Sequence, residues 1–239
     1  MKFFRSLALV ALFFLIGNSA IVQKKKYDFV EIQTPKGSIW LYLYDATPQH
    51  KENFLRLARE GFFDSTTFHR VIPEFMIQGG DPNSKDNDTT NDGEGDFGER
   101  IPAEITDTIR HFYGAVGAAR DNNPQKASSY SQFYLVEGKK WDELQLKLVA
   151  KRNGVTYTPE EIKRYIQEGG TPHLDMGYTV FGQVLAGMSI VKEIARVPAN
   201  GTNRPLVNIP VTVKVHTLKP KKLQRKYDVH FDISKMQVQ

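Results

Sequence analysis

The sequence predicts a mainly β fold, in which a closed eight-stranded antiparallel barrel is capped by two helices and carries an inserted helical hairpin. Three observations predict it. About eight short runs alternate apolar and polar residues or are rich in β-branched and aromatic side chains, as half-buried strands are. Most of these runs are consecutive, with two long amphipathic helical segments between them, which favours a closed antiparallel architecture. With 239 residues and 40% hydrophobic side chains, the chain can bury one such core.

The strands of the predicted barrel occupy the body of the chain, 27–218. Alternation begins at Tyr27, and a Pro/Gly turn at 34–37 leads into a second run at 38–44, which together predict a β-hairpin. Further short strands are predicted at 67–71, 74–78, 112–116, 132–136 and 178–184, and the last strand at 207–218.

Two helices are predicted to cap the barrel. Thr47 and Pro48 are typical of an N-cap and a first helical residue, and Gly61 is typical of a helix end. A second segment, 187–196, places its apolar residues on one helical face.

The segment 139–170 is charged and helical in pattern, and we interpret it as a helical hairpin inserted into the barrel. Its first helix, 142–152, ends before Asn-Gly, and its second begins at 158–161 with a capping box and Pro at the first helical position. The predicted apolar residues of the first helix are Leu144, Leu148 and Val149, and those of the second are Ile162, Tyr165 and Ile166.

The N-terminal segment 1–20 is typical of a signal peptide. Lys2 and Arg5 precede a short apolar run at 7–16, which small residues follow. A basic linker, 21–26, leads into the body. We therefore expect an exported protein, in a bacterial periplasm, with cleavage after Ala20; the alternative is an uncleaved segment that anchors the chain to the membrane.

Charge and cysteine content exclude several classes of function. The net charge of +5 resides in the ends, because 1–26 carries +5 and the basic tail 219–239 carries +4, which leaves −4 for the body. A nucleic-acid-binding domain needs a basic face on the folded body, so no nucleic acid is expected as a partner. The tail is predicted to be frayed and solvated, with at most weak contact of the basic ends with acidic lipid. The chain has no cysteine, which excludes disulfides and thiolate catalysis.

Two strands around Pro73 bring together residues suited to chemistry. Alternate residues of a strand share a face, so Phe68 lies beside Arg70 and Met76 beside Gln78. The turn at Pro73 folds the two strands together, which predicts an apolar slot with a polar wall. Taken alone, Arg70 is better interpreted as a surface cation on a strand.

The whole string at 68–81, FHRVIPEFMIQGGD, resembles the active-site strand pair of the cyclophilin family, which usually has Gly at the position of Glu74. SQFY at 131–134 resembles the family's SQFF, and LDMGYTVFG at 174–182 resembles its LDGxxxVFG. The segment 47–64 is similar to its TPxxxxNFLxLAxxGFFD. The resemblance spans roughly 30–218.

The resemblance implies a peptidyl-prolyl cis/trans isomerase. Rotation about an X-Pro bond crosses a barrier of ~20 kcal/mol and leaves a lone pair on the proline nitrogen. Arg70 matches the family's donor to that nitrogen, and Gln78 matches the residue that holds the guanidinium. The implied substrate-binding residues are Phe75, Met76, Gln132, Tyr134 and Leu174, with the Arg120 backbone pairing with the substrate chain. No metal and no cofactor are required.

Several positions depart from the family pattern. His173 stands where many eukaryotic members have Trp, and Tyr178 where they have His, which predicts weaker binding of cyclosporin-type drugs at this rim. Tyr134 replaces Phe and adds a hydroxyl at the pocket floor, which needs a partner if buried. Arg120 replaces Asn, a change that a backbone role tolerates.

Alternatives to the enzyme remain open at this point. The leading hypothesis is an isomerase that acts on proline-containing segments of exported or envelope proteins. The alternative is a non-catalytic chaperone or scaffold module that holds such segments, and a third is a structural envelope protein anchored by its leader. Acids at 88–99 nearly match a calcium loop, but position 3 of that loop is Thr90, so we predict a solvated loop. We expect a monomer.

Overall fold

A computed structural model describes residues 25–86, 88–95 and 98–236. Within these residues, eight strands form one antiparallel sheet in the order β3-β4-β6-β5-β7-β2-β1-β8. Their bounds are Tyr27–Thr34 (β1), Gly37–Leu43 (β2), Arg70–Ile72 (β3), Met76–Gly79 (β4), Ala115–Ala118 (β5), Phe133–Val136 (β6), Val180–Ala186 (β7) and Thr212–Leu218 (β8). Each predicted strand overlaps an observed one. The predicted leader, 1–20, and most of the basic linker lie outside the described residues.

The predicted closure of the barrel is wrong, because the strands form an open half-barrel. In the described sheet β3 and β8 are the two ends of the strand order. The chain ahead of them comes together only through a single bridge between Thr67 and Pro210 and neighbouring backbone hydrogen bonds. Proline has no N–H to continue a ladder, so Pro205 and Pro210 also explain why the last strand begins at Thr212 rather than at 207.

Two helices pack on the sheet at the predicted places. They are α1, Pro48–Arg59, and, later in the chain, Met188–Ala195. The start of α1 is capped from a distance: the Glu104 carboxylate accepts hydrogen bonds from the backbone N–H groups of Gln49 and His50, each at 3.0 Å. The Thr47 hydroxyl, the predicted cap, points instead to the Tyr44 carbonyl.

The main core lies between the sheet and these two helices. Inward-facing residues of alternate strand positions meet the apolar faces of both helices, as the two periodicities require. The fully buried members include Val30, Ile32, Ile39, Leu41, Leu57, Ile77, Val116, Leu135, Val191 and Ile194.

The inserted hairpin consists of α2, Glu143–Asn153, and α3, Pro159–Gln167. Both helices begin with a capping box, as predicted for α3, through the Asp142 and Thr158 side chains. The predicted apolar face of α2 is wrong in part, since Leu144 and Leu148 are 68% and 63% exposed. The buried side of α2 instead carries Leu146 and Val149, and Leu146 packs in one cluster with Tyr165.

The helix that follows α3 in the chain is α4, Met188–Ala195, and the last is α5, Pro220–Tyr227. The prediction of a frayed, solvated tail is wrong for its described part. Leu223 is fully buried, and Val229 and Met236 are nearly so, against the outward-facing rings of Phe29 and Trp40. Besides its basic residues, α5 has an apolar side that packs on the outer face of β1 and β2. Among the described helices, none has the length and apolarity needed to cross a membrane.

Candidate active site

The register of four neighbouring strands places three of the predicted site residues in one row. Arg70 pairs with Gln78, Gln78 with Tyr134, and Tyr134 with Gly117. Directly paired residues share a face of a sheet. The residues one position along, such as Ile77 and Leu135, point into the main core. The row therefore lies on the outer face of the sheet, where a peptide can reach it.

The polar wall of the site is a chain of side-chain amides behind Arg70. The Arg70 Nη1 donates a long hydrogen bond of 3.4 Å to Gln78 Oε1, and Gln78 Nε2 donates to Gln132 Oε1 at 3.1 Å. Gln132 Nε2 in turn donates to the backbone carbonyls of Gly93 and Gly95, at 3.0 and 2.8 Å. The guanidinium is thus held by a relay that ends on a surface loop.

Arg70 itself is half-buried, and its guanidinium lies over the Phe75 ring, 5.9 Å from the centroid. Burial lowers the pKa of Arg70 from its ordinary value, and the nearby Tyr178 opposes that shift. An arginine remains charged at neutral pH under such a shift. The site therefore presents a fixed cation beside an aromatic ring.

An apolar slot lies next to this cation. Met76 and Tyr134 are buried in one cluster, and the partly exposed side chains of Phe75, Leu174 and Tyr178 pack against it. These five residues come from three separate segments of the chain, and the fold brings them together as the resemblance implies. The turn that carries Phe75 has Glu74 in the left-handed region at φ 60°. A non-glycine residue there costs about 1 kcal/mol, and the Glu137 carboxylate stabilises the turn by accepting the Glu74 N–H at 2.8 Å.

The rim of the slot is a row of aromatic rings that extends into the insertion. The His173 ring lies 5.4 Å from that of Phe75 and 6.1 Å from that of Trp141, centroid to centroid. Burial lowers the pKa of His173, and the neighbouring His111 and Arg152 add to the shift. Trp141 is held by a 2.9 Å hydrogen bond from its Nε1 to the Gly170 carbonyl. Trp141 was not predicted as a site residue, because it lies in the insertion rather than in a matched motif.

Arg120 is placed beside the slot by its own side chain. Its Nε donates to the Gly177 carbonyl at 2.8 Å, and its guanidinium lies over the Tyr178 ring, 4.6 Å from the centroid. The side chain therefore braces the loop that carries Tyr178. The proposed pairing of the Arg120 backbone with a substrate stays a prediction.

The hydroxyl of Tyr134 has the partner that its burial requires. His111 Nε2 lies 2.9 Å from it, and the two rings are stacked 10° from parallel. Burial raises the pKa of Tyr134 well above its ordinary value, so the hydroxyl keeps its proton. Gly117 is required opposite this ring, because a methyl group there would overlap it. Sequence reasoning missed His111, although the Tyr-for-Phe change at 134 signalled that a partner must exist.

Two acids of the loop at 88–99, Asp88 and Asp92, are engaged with protein groups. Asp92 forms an ion pair with Arg204, and Asp88 accepts hydrogen bonds from Thr90. Among the described residues, no three His, Asp or Glu side chains come together in an arrangement suited to a metal ion.

Comparison with known proteins shows which family this chain resembles. The model of a family described as cyclophilin type peptidyl-prolyl cis-trans isomerase/CLD matches residues 29–215. A peptidyl-prolyl cis-trans isomerase of Staphylococcus saprophyticus is 35% identical over 182 residues, which cover 75% of this chain and 87% of that protein. A bifunctional phosphatase/peptidyl-prolyl cis-trans isomerase of Streptococcus pyogenes is 34% identical over 200 residues. That match covers 78% of this chain but only 38% of the Streptococcus protein.

Solved structures show the same fold. A crystal structure of a cyclophilin type peptidyl-prolyl cis-trans isomerase from Cryptosporidium parvum, obtained in the presence of the dipeptide Ala-Pro, matches with a TM-score of 0.60 at 22% identity. The match covers 79% of this chain and 99% of that one. A second crystal structure of the Cryptosporidium protein matches with a TM-score of 0.59.

Proposed function

Because this chain belongs to the cyclophilin-type peptidyl-prolyl cis-trans isomerase family, we propose that it accelerates X-Pro rotation through Arg70 and acts on exported or envelope proteins. Isomerase activity of this type follows from the family. The role of Arg70, the residues of the slot and the location of the substrates are the new parts of the proposal.

The proposed mechanism rests on one observation: a half-buried, charged Arg70 is held beside an apolar slot by Gln78. When an X-Pro amide twists, it loses resonance, and the proline nitrogen gains a lone pair that accepts a hydrogen bond. A donor aimed at that nitrogen stabilises the twisted amide more than the planar one, and so lowers the barrier. A site of low dielectric makes this interaction stronger than it is in water.

In this proposal the proline ring binds in the slot of Phe75, Met76, Tyr134 and Leu174. Apolar contact there fixes the ring while the preceding carbonyl rotates, and Gln132 and the Arg120 backbone bind the neighbouring peptide groups. The Cryptosporidium relative was crystallised in the presence of Ala-Pro, which supports proline-containing peptides as the ligand class.

The test compares wild type with Arg70→Ala in an isomerase assay on an Ala-Pro peptide. Loss of one preorganised donor is expected to lower kcat/KM by about 10²–10³-fold. The matched control is Arg56→Ala, which removes the same charge from α1, where the side chain pairs with Glu60. Equal rates for wild type and Arg70→Ala would remove the catalytic claim and favour the non-catalytic chaperone or scaffold module.

The proposed location is supported by the pattern of the first 20 residues and by the absence of cysteine. N-terminal sequencing of the protein isolated from an envelope fraction tests it. A mature chain that begins near residue 21 is expected. A retained Met1 in the membrane fraction would support the anchor instead, and recovery only from the cytoplasm would overturn both.

A further inference from the structure

A buried polar network lies beneath the floor of the slot and centres on Asp175. This carboxylate is 3% exposed. Its Oδ1 accepts the backbone N–H of His111 at 2.9 Å and lies 2.8 Å from His111 Nδ1. Its Oδ2 accepts the hydroxyl of Tyr157 at 2.8 Å and that of Tyr165 at 2.6 Å. A buried carboxylate is tolerated when its oxygens are satisfied in this way.

The Asp175 carboxylate sets the direction of the hydrogen bonds that it accepts. Burial by itself raises the pKa of Asp175, but the hydrogen bonds from His111 and Tyr165 outweigh it, and the pKa is lowered. An ionised carboxylate only accepts, so His111 Nδ1 carries a proton. A ring with its single proton on Nδ1 has an acceptor at Nε2, which lies 2.9 Å from the hydroxyl of Tyr134.

The two tyrosines on Asp175 both come from the inserted hairpin, 139–170. Tyr165 lies on α3 and is fully buried, and Tyr157 lies on the connection between α2 and α3. From α2, the Asn153 amide donates to the carbonyls of Pro172, His173 and Asp175, at 3.1, 3.2 and 3.3 Å. The insertion therefore binds, through these hydrogen bonds, the short turn that carries the rim of the slot.

We propose that the insertion is a positioning element of the isomerase site. Tyr157 and Tyr165 fix the Asp175 carboxylate, Asp175 orients His111, and His111 holds the ring of Tyr134 in place as the floor of the slot. The inference depends on the proposed role of Tyr134 as that floor. It makes His111 a positioning residue, since it acts through Tyr134 rather than by touching the substrate.

The geometry around Tyr134 explains why its orientation is sensitive to this network. One side of its ring closely covers Gly117, and the ring is also in edge contact with Tyr178, 6.2 Å away between centroids. The only polar atom of its side chain lies 2.9 Å from His111 Nε2. If the partner shifts, a buried hydroxyl is left to find another one, which turns the ring out of the position that a proline needs.

A double-mutant cycle on the full chain tests the proposal. The first change is Tyr157→Phe with Tyr165→Phe, which removes two hydroxyl groups and nothing else. The second is Tyr134→Phe, which disconnects the network from the slot. With Tyr134 present, the loss of the two hydroxyls is expected to lower kcat/KM about 5- to 10-fold, in the range of coupling within one hydrogen-bond network. In the Y134F background the same change is expected to alter kcat/KM less than twofold.

A matched control separates positioning from mere stability of the insertion. Thr158→Ala removes the capping box of α3 but leaves both hydroxyls in place. This variant is expected to lower the melting temperature while the folded protein keeps its kcat/KM. If the two-tyrosine change lowers kcat/KM equally in both backgrounds, or if Thr158→Ala lowers it as much, the proposal is overturned.

A second measurement does not use activity. The ¹⁵N resonances of the His111 ring report which nitrogen carries the proton, and a protonated Nδ1 is expected in the wild type. A ring protonated at Nε2 alone would break the network at Asp175 and overturn the proposal. Failure of the Arg70 mechanism is recognised separately, by an Arg70→Ala variant that is fully active while the cycle still shows coupling.

Discussion

The polar wall and the floor of the slot are built in opposite ways. The wall, Arg70 and Gln78, comes from one hairpin in which the two residues pair directly, and its hydrogen bond is long at 3.4 Å. The floor, Tyr134, is held by residues far away in the chain through short, buried hydrogen bonds. The difference teaches that the proposed hydrogen-bond donor, Arg70, is placed by local sequence, whereas the position of Tyr134, the proposed floor, depends on the whole fold.

The largest effect is expected from overfilling the floor. Gly117→Ala puts a methyl group into the Tyr134 ring, so it should cost about 1–3 kcal/mol of stability and most of the activity. Thermal unfolding and the isomerase assay measure both. Gly201 offers the matched control, because a Cβ there meets open space. A stable, fully active Gly117→Ala protein would mean that the floor is not rigid.

Acid is expected to destabilise the folded chain through His69. His69 is buried next to Arg70, and burial lowers its pKa to about 4, well below the ordinary value of 6.5. The unfolded chain therefore binds a proton that the folded chain refuses between these pH values. The free energy of unfolding should fall by about 2 kcal/mol from pH 7 to pH 5.

Denaturant titrations at several pH values test this slope. His69→Gln should remove most of it, whereas replacement of the exposed His230 should not change it. An unchanged slope in His69→Gln would assign the acid sensitivity to other groups.

A substitution at Gln78 tests how strongly activity depends on the orientation of the Arg70 guanidinium. Gln78→Leu leaves Arg70 charged but removes its amide partner, so kcat should fall about tenfold while KM changes little, since an interaction used mainly in the twisted state is lost. Steady-state kinetics separate the two constants. The same change at Gln33, on β1, is the control. A selective rise of KM would show that Gln78 binds the substrate rather than positioning Arg70.

The smallest effect is expected at the aromatic rim. Trp141→Ala removes the outermost ring of the row that runs through His173 and Phe75, so KM should rise roughly two- to threefold for peptides with an aromatic residue beside X-Pro, in line with a partly exposed aromatic contact. Peptides with alanine at that position serve as the control. An equal change for both peptides would indicate that Trp141 supports the fold of the insertion instead.

How much the sequence predicts follows the same division. Arg70 and Gln78 were predictable, because strand alternation and one turn suffice to bring them together. The support of Tyr134 was not, because His111, Tyr157 and Asp175 have no common spacing, and only packing brings them together. The predicted closure of the barrel was wrong, because the number of strands does not show whether the two end strands pair. In α2, leucines lie on more than one side of the helix, so the sequence does not show which side is buried. Leu146 is buried because it packs in one cluster with Tyr165.

The C-terminal helix α5 has a practical consequence. Together with the residues that follow it, this helix packs in one cluster with Phe29, Trp40 and Tyr42 on the outer side of the sheet. A chain cut after Leu218 would present these rings to water as one adhesive patch, of the kind that drives self-association of soluble proteins. Truncation of the C-terminal segment is therefore expected to lower solubility during expression and storage. A purification tag is better attached after the last residue than in place of this helix.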